Sequence, residues 1–240
     1  MTRLRQEILL VLALSFGMAG LRSALRLADA YLRPEALNHQ SVALSTPYAQ
    51  VWWIDFGLQL CSAGVLFSWG FLALFLLAGE GLRLPKLQLR DWRGGALLAA
   101  LIGIPGLIFY LTALHLGWTK EVIPTTFDNP WVEMPTLLLR SAANAFAEEV
   151  VVIFWFLSRL TRNSPVRNLG WHPYAAILAA AALRGSYHLY QGVSAGFGNI
   201  AMGLLFGYVY YRTGKIWPLI LAHFLIDAVA FLGYALGIRL

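Results

Sequence analysis

The chain has 240 residues, 59% of them apolar and only 12% charged, with a formal net charge of +6 and a mean hydropathy of +0.64. Soluble chains average about 45–50% apolar and about 25% charged residues, so a soluble fold of this size could not cover its apolar surface with so few charges. That excludes a cytosolic globular enzyme, a nucleic-acid-binding domain and a disordered tail, and it leaves a multi-span membrane protein.

A spanning helix needs about 20 mostly apolar residues. Seven segments reach or approach that length: 7–28, 52–79, 95–117, 134–158, 173–191, 193–212 and 217–237. Their apolar runs are long and uninterrupted, which favours helices over alternating barrel strands. The expected fold class is all-α: a polytopic membrane helix bundle of about seven spans, or eight, forming one domain over 1–240. In the first segment Arg3 and Arg5 precede an apolar run, and Ala28-Asp29-Ala30 resembles a cleavage site. Arg22 and Arg26 interrupt the region just before it, so an uncleaved anchor is expected; both can snorkel or pair with Asp29. Asp55, beside Trp52 and Trp53, and His115, near the end of the third segment, read as interfacial. Cys61 has no intramolecular partner, so no disulfide framework exists. Gly203/Gly207 and Gly233/Gly237 are small-xxx-small pairs that permit close helix approach.

Charge sets the expected orientation. With the N-terminus inside, the inner loops hold Arg3, Arg5, Arg83, Lys86, Arg90, Arg93, Arg159, Arg162, Arg167, Arg212 and Lys215, whereas the outer segments hold Arg33, Lys120 and Arg239. This is the positive-inside pattern. Seven tryptophans (Trp52, Trp53, Trp92, Trp118, Trp131, Trp171 and Trp217) fall at span ends, and Trp69 and Trp155 lie deep.

Ionisable residues inside a span are expensive and mark functional sites. Here they gather in the second half. The fourth span carries Arg140, Asn144, Glu148 and Glu149, the fifth Arg184 and His188, and the seventh His223 and Asp227. Arg140, Asn144 and Glu148 repeat every four residues and share a helix face. Glu149 points about 100° away and is expected to meet a different partner. Two imidazoles and two carboxylates are enough to activate a water, by a general base or through a metal. There is no HExxH and no GxGD pair, and Gly185-Ser186 with His223 is a weak imitation of a serine–histidine pair.

Ala147-Glu148-Glu149, Arg184-Gly185-Ser186-Tyr187-His188, Arg212-Thr213-Gly214 to Trp217-Pro218, and His223-Phe224-Leu225-Ile226-Asp227 follow a known order. Over roughly 134–234 the chain resembles the CPBP intramembrane endopeptidases, the type II CAAX prenyl protease or abortive-infection family; 134–237 is the expected catalytic core. The resemblance implies that Glu148 and Glu149 match the family's glutamate pair, with Glu148 as the general base. His188 would position the water or the oxyanion, and His223 and Asp227 would take the later histidine and Asn/Asp slots. Arg184, Asn144 and Arg140 are expected to support the site. Family members have been discussed as metal-dependent and as glutamate proteases; if a divalent ion such as zinc is bound, Glu148, His188 and His223 are its candidate ligands. Two positions depart from the pattern. The arginine after the glutamate pair would fall at Ile153, and the aromatic of FxxxH at Arg184. Arg184 is therefore expected to pair with Glu149 across helices, within about 6 Å.

The leading expectation is an intramembrane peptidase acting on a membrane-embedded or lipidated peptide, in a bacterial cytoplasmic membrane and with no nucleic-acid partner. A catalytically silent relative that binds a partner is the alternative. A proton-coupled transporter comes third, since paired broken helices in matching halves are lacking.

Overall fold

The computed structural model describes residues 2–126 and 130–237, with backbone alone at 130–132. The side chain of Trp131 and the whole of Arg239, both used in the topology reading, lie outside the described residues. In chain order the helices are α1 (Arg3–Leu14), α2 (Phe16–Leu32), α3 (Trp52–Ala78), α4 (Leu89–His115), α5 (Pro130–Glu148), a π-helix (Glu149–Leu157), α6 (Ser158–Leu160), α7 (Pro173–His188), α8 (Val193–Thr213) and α9 (Trp217–Ala235). Local sequence explains several ends. α4 starts with a capping box between Gln88 and Asp91. α8 stops at Gly214, whose φ of +66° only glycine takes freely and whose N–H returns to the Tyr210 carbonyl at 2.7 Å.

The chain forms a helical membrane bundle and is an integral membrane protein. By length and composition α3, α4, α8 and α9 are each able to span a bilayer, and α1 with α2 would make a fifth span bent by 49°. The bend falls at Ser15, whose hydroxyl donates to the Val11 carbonyl at 2.6 Å and so competes with the helix ladder. The segments expected as fourth and fifth spans are helical but do not meet the same measure on their own. α5 interrupts its apolar residues with Glu133, Arg140 and Glu148, and α7 has 16 residues.

α5 runs without a break into the π-helix, which begins at the glutamate pair. Every residue of the π segment is buried, from Glu149 to Leu157. The stretch is packed by α3, α7 and α8, so the polar helix of the sequence becomes the centre of the bundle. Around it α3 and α4 turn Phe56, Phe71, Phe75, Leu97 and Leu101 outward, the exposure a lipid-facing helix requires. α7 and α8 approach closely at their glycines: a Cβ on Gly185 would lie 2.7 Å from the Gly196 carbonyl oxygen, one on Gly203 2.9 Å from the Ala181 Cα, and one on Gly207 2.9 Å from the Ile177 Cγ2. The Gly233/Gly237 expectation is corrected, because nothing lies within 4 Å of a Cβ at either position.

One end of the bundle carries two strands absent from the expected all-α description. β1 (Ser41–Ser45) and β2 (Glu121–Thr125) pair in parallel with Ser41 opposite Glu121 and Val42 opposite Val122. Asp55 is buried there, in the first turn of α3, and accepts from the Tyr48 and Ala49 N–H groups at 2.5 and 3.2 Å. Asp29 pairs with Arg33 at 2.6 Å; the expected partners Arg22 and Arg26 are exposed.

At the opposite end Arg159, counted in a loop from sequence, is fully buried. It meets Glu7 of α1 at 2.8 Å, Glu80 at 3.0 Å, and the Arg167 and Leu76 carbonyls at 3.2 and 3.3 Å. Burial raises the Glu80 pKa, but hydrogen bonds from Arg167 and the charge of Arg159 outweigh it and hold the carboxyl below its ordinary value.

Candidate active site

Counted from the expected inner ends of their spans, Glu148, His188 and His223 differ in depth by roughly 13 Å if the spans are straight and level. The structure nevertheless brings α5, the π-helix, α7 and α9 together at one buried cluster. α9 begins among buried residues, Ile216 and Leu219 being fully covered, so its second turn already lies inside the bundle.

Glu148 is the last residue of α5 and 2% exposed. Its Oε1 accepts from the Asn144 amide at 2.8 Å and its Oε2 from the Tyr187 hydroxyl at 2.7 Å. Arg184 Nη2 stands 3.4 Å from the same Oε2, and His188 Nε2 3.7 Å from it. Glu149 opens the π-helix and is fully buried. Its Oε1 accepts from Arg184 Nη1 at 2.7 Å, well inside the expected limit, and lies 2.8 Å from His223 Nδ1. Glu149 therefore has a partner set of its own, but the expected separation is incomplete: Arg184 reaches both carboxylates, Nη1 meeting Glu149 and Nη2 facing Glu148.

Arg184 is fully buried, lies over the Phe206 ring at 5.4 Å and is 3.1 Å from His223 Nδ1. Guanidinium can only donate, so that nitrogen either donates to Glu149 or accepts from Arg184. In either state His223 Nε2 faces Asp227 Oδ2 at 3.8 Å, a gap that suits a bridging water. Neither ring nitrogen of His188 has a hydrogen-bond partner, and the same holds for Glu149 Oε2 and Arg184 Nε. Unused capacity of this kind in a buried cluster invites water or substrate. The side chains of His188 and Asp227 are 17% and 30% exposed, so the cluster opens on their side. A separate cleft of about 460 Å³ lies between the ends of α6, α7 and α8, and none of these residues lines it.

Arg140 is a correction. Although it shares the Glu148 face of α5, its guanidinium donates to the Ser45 hydroxyl at 3.0 Å and the Gln59 amide oxygen at 2.9 Å. About two turns of helix separate two functions: Arg140 anchors β1 and α3, and Asn144 reaches the glutamate.

The candidate metal ligands Glu148, His188 and His223 do not come together as one set. Among the described residues the carboxylate and imidazole atoms that converge within 4.8 Å belong to Glu148, Glu149 and His223, and His188 is not among them. Arg184 already stands within 3.4 Å of a donor atom of each of the three. A divalent ion there would face a fixed guanidinium charge at contact distance, so the residues do not fit a metal, and no step below passes through one.

Tyr187 was not singled out in the sequence. A signal existed: it lies three residues from Arg184, on the same face of α7, but a tyrosine in an apolar helix reads as packing.

With this geometry in view, residues 130–229 match the family described as type II CAAX prenyl endopeptidase Rce1-like. The matched family is a family of proteases. The Rce1-like segment covers all the site residues named above and begins after α4. No curated protein and no solved structure matches the chain.

Proposed function

We propose that the protein is an intramembrane endopeptidase that hydrolyses a peptide bond of a membrane-associated or lipidated substrate. The observation that carries this reading is the buried Glu148 carboxylate, held at both oxygens, 3.7 Å from an imidazole without a hydrogen-bond partner, in a segment matching a protease family. Glu148 Oε2 and His188 Nε2 together offer a seat for one water. That water attacks the substrate carbonyl carbon as Glu148 takes its proton. The carbonyl oxygen becomes an oxyanion, steadied by an N–H of His188, whose ring nitrogens have no other hydrogen-bond partner. The tetrahedral species collapses, the C–N bond breaks, and the proton on Glu148 passes to the leaving amine. Glu149 and Arg184 form the ion pair that holds the cluster together, and Asp227 orients His223 from its Nε2 side. The broader picture is seven spans, counting the bent α1–α2 pair, α5 with its π extension, and α7, with a cytoplasmic N-terminus and 134–237 as catalytic core. The lysine and arginine distribution supports this arrangement in a bacterial cytoplasmic membrane.

The test uses the purified full chain in liposomes with farnesylated peptides ending in a CAAX sequence and with single-span peptides. Cleavage by the parent, lost in Glu148→Ala and His188→Ala and unchanged by a chelator, is expected. Equal cleavage by either variant refutes the site. No cleavage by the parent refutes the peptidase reading in favour of a silent relative that binds its partner.

A further inference from the structure

Tyr187 lies at the centre of the site with no role assigned to it. The side chain is 6% exposed, and its hydroxyl sits 2.7 Å from Glu148 Oε2, the oxygen that faces His188. A phenol donates more readily than it accepts beside a carboxylate, so the proton of this contact points at Glu148. The ring is fixed on both sides. His188 packs on it with ring centroids 4.8 Å apart, and Phe16 of α2 packs on it at 4.8 Å. Phe16 is itself buried and meets Trp69 of α3 edge-on at 5.5 Å. α2 is further registered against this part of α7: the Ser23 hydroxyl accepts from the Tyr190 N–H at 2.6 Å, and a Cβ on Gly20 would strike the Ser186 side chain.

We infer that Tyr187 is a positioning residue for the proposed general base: its hydroxyl fixes the Glu148 carboxylate in the rotamer that turns Oε2 toward His188, and Phe16 of α2 holds the tyrosine in place. The inference rests on the peptidase reading above for its kinetic consequence, but the hydrogen bond itself is independent of it. Without Tyr187, Oε2 would keep only longer contacts, Arg184 at 3.4 Å and His188 at 3.7 Å, whereas the Asn144 and Tyr187 donors, at 2.8 and 2.7 Å on different oxygens, define the carboxylate's plane. The first span, which lies outside the matched segment 130–229, thereby becomes part of the site's support.

Tyr187→Phe keeps the ring and its stacking and removes only the hydroxyl. Hydrogen bonds to charged groups are worth about 1.5–3 kcal/mol, or about ten- to a hundredfold in rate. The expected result for the liposome peptide assay is a fall in kcat of that size with KM unchanged. Infrared difference spectra of the parent against Glu148→Gln isolate the Glu148 carboxylate band, and in the Tyr187→Phe background that band should move. Phe16→Leu should broaden the band and lower kcat less. Tyr210→Phe, at the separate cleft, should change neither readout. A band that stays in place in Tyr187→Phe overturns the inference, as does a change in KM alone. If the parent cleaves none of the peptides, the peptidase reading fails, while the infrared band still decides whether Tyr187 holds Glu148.

Discussion

Replacing Arg184 by phenylalanine puts the aromatic of the FxxxH pattern back in its slot and removes the cation from the site. The guanidinium stands 2.7 Å from Glu149 and 3.4 Å from Glu148. At an effective dielectric of about 20, such contacts correspond to attractions of roughly 6 and 5 kcal/mol, largely offset by the desolvation of three charges. What the variant exposes is the uncompensated remainder: two adjacent buried carboxylates and no cation between them. Breaking a buried pair in this way destabilises by about 3–5 kcal/mol, which for a domain of this size lowers Tm by about 6–20 °C. Tryptophan-monitored thermal unfolding in detergent measures it. The complementary variant Ile153→Arg places a cation where the family's arginine would fall. Ile153 is fully buried, so an arginine there alone adds an unmatched charge to the core and destabilises. Combined with Arg184→Phe it should recover at least half of the lost Tm, because the charge is transposed and not removed; the cycle isolates the coupling. A Tm equal to the parent's in Arg184→Phe would refute the claim that this ion pair holds the cluster, and a double variant less stable than both singles would refute the transposition.

The Arg140 and Glu80 predictions concern contacts away from the chemistry. Arg140→Met loses its bonds to Ser45 and Gln59 and should lower Tm, by an amount corresponding to about 2–3 kcal/mol, while kcat/KM for any cleaved peptide changes less than threefold; a kcat loss like that of Glu148→Ala would return Arg140 to the site. The folded-state pKa of Glu80 lies below its ordinary value of 4.5, so its contribution is present above that value and is lost as pH falls through the lower folded-state pKa. The stability gap between the parent and Glu80→Gln should therefore be widest at neutral pH and narrow below about pH 4; a gap constant from pH 7 to pH 3 would contradict the Arg159–Glu80–Arg167 linkage.

Composition and hydropathy alone were enough to establish a membrane bundle, since 12% charge cannot solvate this chain. Apolar run length located the helices closely: 52–79 is observed as Trp52–Ala78 and 193–212 as Val193–Thr213. The expensive residues Glu148, Glu149, Arg184, His188, His223 and Asp227 were legible because a membrane interior leaves so few reasons for them. Helical periodicity could not separate Arg140 from Asn144, because both lie on one face and only the positions of Gln59 and Ser45 decide which way a long side chain turns. Nor could it anticipate the π-helix that begins at Glu149, or the strand pair, whose backbone partners are 80 residues apart. The partners of Tyr187 and Arg159 likewise depend on which helices become neighbours. Local sequence singled out the ionisable groups within the spans; tertiary packing decided which of them meet, and buried Arg159 besides, because hydrogen bonds and ion pairs form over about 3 Å and no periodicity along one helix specifies a distance to another.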